Sequence, residues 1–81
     1  MTTLTLYGKP GCHLCDEARV VLDGMRAELG FELEEIDITL DPRLHAEYGE
    51  RIPVVELDGS VLAHYFVDPK AIRAAVDRVQ P

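Results

Sequence analysis

Eighty-one residues suffice for a single domain, residues 1–81, built on one modest core. The chain is 47% hydrophobic and 28% charged, as soluble globular proteins are, and its formal net charge of −7 argues against nucleic acid or an anionic membrane as partner. No apolar run approaches the ~18 residues of a transmembrane helix, and Met1-Thr2-Thr3-Leu4 does not begin a signal peptide, so the expected compartment is the reducing cytoplasm.

Thr3 to Tyr7 reads as a strand, with Leu4 and Leu6 alternating against Thr3, Thr5 and Tyr7. Gly8-Lys9-Pro10-Gly11 is turn chemistry. A segment of helical periodicity follows, Ala18 to Leu29, and its apolar stripe of Leu14, Ala18, Val21, Leu22, Met25 and Leu29 reaches back towards the turn. Gly24 weakens this helix by about 1 kcal/mol relative to alanine, and Gly30 is suited to stop it. Phe31 to Ile38 reads as a second strand. Its apolar phase shifts from Phe31 and Leu33 to Ile36 and Ile38, which a bulge near Glu34-Glu35 or burial on both faces would explain. Strand, helix and strand in this order suggest a right-handed βαβ crossover with parallel strands.

Asp41-Pro42 supplies an N-cap and a first helical residue for a short helix to Tyr48, ended by Gly49. Val54 to Leu57 is the third strand. Asp58-Gly59 turns it into an antiparallel fourth, Val61 to Tyr65. Asp68-Pro69 repeats the helix-start signal, and the last helix, Pro69 to Val79, sets Ile72, Ala75, Val76 and Val79 on one face. The order is β-α-β-α-β-β-α, an α/β chain.

The chemistry concentrates in Lys9-Pro10-Gly11-Cys12-His13-Leu14-Cys15, which holds both cysteines of the chain. Strand, turn, C-x-x-C and helix is the context of a redox dithiol. Cys12 stands where the helix should begin. Unpaired backbone N–H groups and the positive end of the helix dipole stabilise a thiolate there and lower its pKa. Lys9, and His13 when protonated, add positive charge; Asp16 and Glu17 oppose them. Cys15 falls one turn later in register with the apolar face, as suits a less exposed resolving thiol.

Two other readings stay open. A structural disulfide across so short a loop is worth only about 2 kcal/mol in the chain-entropy model. A tetrahedral metal site needs four ligands and one C-x-x-C gives two; His13, His45 and His64 show no second paired spacing, so no metal ligand is assigned. His45 fits a solvated helix face and His64 a hydrogen-bonded strand edge. Tyr48, Tyr7 and Tyr65 fit packing roles, with Tyr7 and Tyr65 also placed to line a groove.

Pro53, in Ile52-Pro53-Val54, precedes a strand predicted to be buried, a position that suits a strand start or a special turn. Taken with the C-x-x-C at the head of the first helix, it resembles the thioredoxin fold: a four-stranded mixed sheet flanked by helices. That resemblance implies a cis Pro53 lying against the dithiol. It also implies that the backbone of Ile52 pairs with an extended substrate as an added strand. Within the fold, Leu6 to Cys15 resembles the strand-turn-dithiol segment of glutaredoxins. Arg51-Ile52-Pro53-Val54 is similar to their Thr-Val-Pro segment, and the likeness is strongest to small bacterial glutaredoxin-like proteins with a Cys-x-Leu-Cys centre. Two departures stand out. Ala63-His64-Tyr65-Phe66-Val67-Asp68 lacks the Gly-Gly pair that lets the glutaredoxin backbone approach glutathione, and its acidic residue, Asp68, fits a helix cap. His13 and Leu14 replace the Pro and Tyr of Cys-Pro-Tyr-Cys.

The resulting expectation is a thiol–disulfide oxidoreductase, with Cys12 as nucleophile and Cys15 as resolving thiol. Lys9, His13, Ile52 and Pro53 form the substrate side. Expected partners are a disulfide-containing protein or a small thiol, with a thioredoxin or glutathione system as electron donor and the chain a monomer. No tightly bound cofactor is expected; glutathione remains a candidate reductant without its usual Gly-Gly site. The alternatives are a metal or iron–sulfur carrier using the C-x-x-C, or a non-catalytic binding module of the same fold.

Overall fold

The structure is a computed structural model describing residues 2–79. Four strands, β1 (Thr3–Gly8), β2 (Glu32–Asp37), β3 (Val54–Leu57) and β4 (Ser60–His64), form one sheet in the order β2-β1-β3-β4. Helices α1 (His13–Leu29), α2 (Pro42–Tyr48) and α3 (Pro69–Val79) complete the α/β architecture, with a short 3-10 helix at Ile38–Leu40. β1 pairs parallel with β2 and antiparallel with β3, and β3 pairs antiparallel with β4, so the sheet is mixed.

Pairing and pleat together sort the side chains. Leu4 and Leu6 lie opposite Leu57 and Val55, and these four share one buried cluster with Ala18, Leu22 and Met25 of α1 and Ile72, Ala75 and Val76 of α3. Tyr7 lies opposite Val54 on the alternate face. That face carries a second cluster: Cys15, Ile38, Tyr48, Ile52 and Val54, with Tyr7, Cys12 and Leu44 packed against it. The dithiol therefore belongs to the smaller of two cores.

Local signals set the element ends. The Asp41 side chain accepts from the Arg43 N–H at 2.9 Å, and that of Asp68 from the Lys70 N–H at 3.0 Å. Gly30 closes α1 with a left-handed φ of 80°. Gly49 ends α2 in the right-handed region instead. The phase shift in β2 is burial on two faces: the register with β1 runs unbroken from Thr3↔Glu32 to Gly8↔Asp37, Phe31 joins the larger core and Ile38 the smaller. The register irregularity of this sheet lies instead between Val55 and Glu56, where β3 pairs with β4. β4 stops at His64, so Tyr65 lies beyond the strand predicted to contain it, and Val79 is largely exposed rather than core.

Candidate active site

β1 ends at Gly8, the chain turns through Lys9 to Gly11, and α1 starts with Cys12 as its N-cap. Cys12 and Cys15 are joined in a disulfide, with their α-carbons 5.2 Å apart. The two sulfurs are not equivalent. Cys12 is half-buried at the helix mouth, and its Sγ accepts the backbone N–H of Cys15 at 3.2 Å. Cys15 is 2% exposed. A hydrogen bond to sulfur and the adjoining helix terminus favour negative charge on Cys12 once the bond is reduced.

Most of the charged neighbours pair with one another. His13 is exposed and its Nε2 lies 3.4 Å from Glu17 Oε1. Asp16 accepts from Arg19 at 3.2 Å, and Arg19 donates to Glu35 at 2.6 Å, which raises the Arg19 pKa. Asp16 and Glu17 thus have cationic or titratable partners, which reduces their effect on the thiols. Lys9 is exposed, and its carbonyl accepts the Cys12 N–H at 3.4 Å.

The Ile52–Pro53 peptide bond is cis, as the resemblance implies. Pro53 is fully buried, and its neighbours Ile52 and Val54 belong to the cluster against which Cys12 packs. The Tyr65 N–H donates to both flanking carbonyls, Pro53 at 3.0 Å and Arg51 at 3.2 Å. Among the described residues, no backbone hydrogen bond outside the helices and strands engages Ile52.

Tyr7 and Tyr48 pack with the dithiol's cluster, as expected, and Glu56 is the partner that sequence reasoning missed. Tyr7 and Tyr48 donate to the two oxygens of Glu56, at 3.0 and 2.7 Å, with their rings 4.8 Å apart. Burial, then the Glu56 carboxylate, raises the Tyr7 pKa. The hydrogen bond to Glu56, then burial, pushes Tyr48 up to about 12. The alternation of Val54 and Glu56 within a buried strand was the available signal: a carboxylate in phase with a core valine needs donors. Gly8, read as a turn residue, ends the strand directly against Cys15. Tyr65, expected to pack in the core, is 42% exposed and meets His64 edge to face at 5.2 Å. His45 is exposed on α2. Among the described residues, no group of three or more His, Cys, Asp or Glu side chains converges as a metal site would require.

A disulfide at the mouth of α1, beside a cis proline at the head of a central strand, defines a thioredoxin-fold dithiol protein. The chain belongs to a family within that class: residues 3–77 match the model of the Glutaredoxin-like domain (DUF836). An uncharacterized protein of Mycobacterium tuberculosis is 37% identical over 78 residues, covering 90% of this chain and 80% of that protein. The solution structure of a protein from Nitrosomonas europaea superposes with a TM-score of 0.82 at 37% identity, covering 91% of this chain and 89% of the other. The X-ray structure of a protein from X. campestris gives 0.77 at 32% identity, covering 95% and 99%. A mutant thioredoxin from Halobacterium salinarum gives 0.70 at 19% identity, covering 99% and 75%, a likeness of fold alone. No helix among the described residues is long and apolar enough to cross a membrane.

Proposed function

We propose that this protein is a thiol–disulfide oxidoreductase that uses Cys12 as nucleophile and Cys15 as resolving thiol. The observation that carries the reading is the asymmetry of the pair: Cys12 caps the helix and accepts an amide N–H, whereas Cys15 is buried behind it. In the reduced protein, Cys12 thiolate attacks one sulfur of a substrate disulfide. A protein–substrate disulfide forms, and the other substrate sulfur leaves as a thiolate that takes up a proton. Cys15 then loses its proton and attacks Cys12 Sγ. The Cys12–Cys15 disulfide forms and the second substrate thiolate is released. The dithiol thus gives up two electrons and two protons, and a thioredoxin or glutathione system is the class of donor that would restore them.

The Ile52 backbone beside Pro53 is suited to hold the substrate chain as an added strand, since its neighbours' carbonyls are already taken by Tyr65. Lys9 and His13 flank Cys12 in the chain and carry no step of the exchange. The mechanism needs no resident cofactor. The test is Cys12→Ser in a disulfide-reduction assay run with both donor systems. Loss of turnover is expected, and unchanged turnover would overturn the assignment of the nucleophile.

A further inference from the structure

We infer that the disulfide this protein exchanges with is carried by a protein segment rather than by glutathione, and that the segment sets an apolar side chain between Leu14 and Phe66 with basic residues beside its cysteine. The inference rests on the thiol–disulfide reading above and specifies its substrate. A groove of about 130 Å³ runs along α1, lined by Leu14, Ala18 and Val21 on one wall and Tyr65, Phe66 and Val67 on the other, with Glu17 as its charged member. Leu14 lies between the two cysteines in sequence, and Tyr65 is hydrogen-bonded to Pro53, so the chain ties one wall to the dithiol and the other to the cis proline.

The far wall is built in an unusual way. Tyr65 has a φ of 66°, a left-handed conformation that glycine adopts freely and a tyrosine adopts at a cost. The next residue, Phe66, is 74% exposed. A strained tyrosine followed by an uncovered phenylalanine adds nothing to the core. It does supply an aromatic wall for a ligand. Glutathione offers no large apolar side chain to fill this wall, and its net negative charge is repelled by a chain of net charge −7 with Glu17 in the groove. A basic, apolar segment is favoured on both counts. Its cysteine, in a disulfide, accepts the Cys12 thiolate and releases its former partner sulfur, while the Ile52 backbone aligns the chain on the other side.

The experiment measures second-order rates of oxidation of the pre-reduced protein by four probes. These are the disulfide-linked dimer of an Arg-Lys-Phe-Cys-Gly peptide, that of a Glu-Gly-Ser-Cys-Gly peptide, glutathione disulfide and 2-hydroxyethyl disulfide. The first probe is expected to react at least about tenfold faster than the second and third, the worth of one well-buried aromatic contact with charge steering. Phe66→Ala should reduce that preference to about threefold or less, by slowing the first probe rather than by speeding the others. Tyr65→Gly should lose preference similarly while keeping or raising the thermal midpoint, since it relieves the backbone. Equal wild-type rates with all four probes, or a preference that survives Phe66→Ala, would overturn the inference. Absence of exchange with every probe would instead overturn the oxidoreductase reading beneath it.

Discussion

Gly8 abuts Cys15: a β-carbon built on Gly8 would stand 3.0 Å from Cys15 Sγ and 3.2 Å from its Cβ. Gly8 closes β1 in register with Asp37 and cannot retreat without breaking the ladder. Cys15 is buried in the first turn of α1 and is tied to Cys12. Gly8→Ala therefore forces Cys15 to give by a few tenths of an ångström and is expected to lower stability by about 1–3 kcal/mol. Urea denaturation of the oxidised protein measures it, and a variant as stable as the parent would show that the helix start can shift.

The tyrosine pair predicts a pH dependence. Tyr48 is pushed from its ordinary 10.0 up to about 12 and Tyr7 is raised as well. A group whose pKa is higher in the folded state adds stability that is fully present below the unfolded value. That stability is lost as pH rises through the folded value. Stability should thus fall between about pH 10 and 12 by more than it does in Tyr48→Phe. At neutral pH, Tyr48→Phe removes one donor to a carboxylate and should cost about 1.5–3 kcal/mol. Thermal melts of both proteins across that range provide the check, and parallel curves would contradict the account.

Much of the fold was legible because its signals are local. Asp41-Pro42 and Asp68-Pro69 mark helix starts that the structure keeps, and the spacing of Cys12 and Cys15 declared the dithiol. What escaped the sequence depends on distant pairing. Tyr7 and Glu56 are 49 residues apart, and only the β1–β3 register brings them within reach. The two-sided burial of β2 follows from two separate cores, which periodicity within one strand does not reveal. The exposure of Tyr65 arises because β4 ends one residue earlier than its apolar run suggests and the chain there enters a left-handed turn.

Burial and surface charge should differ sharply in worth. Leu22 is fully buried between α1 and the sheet, so Leu22→Ala should cost about 2–5 kcal/mol, a large part of the stability of a chain this short. Arg19 bridges Asp16 and Glu35 but is half exposed, so Arg19→Met should change stability far less than Leu22→Ala does. Equilibrium denaturation of both variants under identical conditions compares them. A larger loss at Arg19 would mean that the bridge across α1 and β2 holds the site more than the core does.

The central claim is that the two sulfurs differ in ionisation because one faces a helix terminus and the other is enclosed. The most direct measurement is the pH dependence of iodoacetamide alkylation of the reduced protein, with each site followed by mass spectrometry. The account predicts that Cys12 reacts first, with a midpoint below the ordinary thiol value of about 8.5, and that Cys15 stays protected until the protein unfolds. Equal reactivity at the ordinary midpoint, or faster labelling of Cys15, would contradict it.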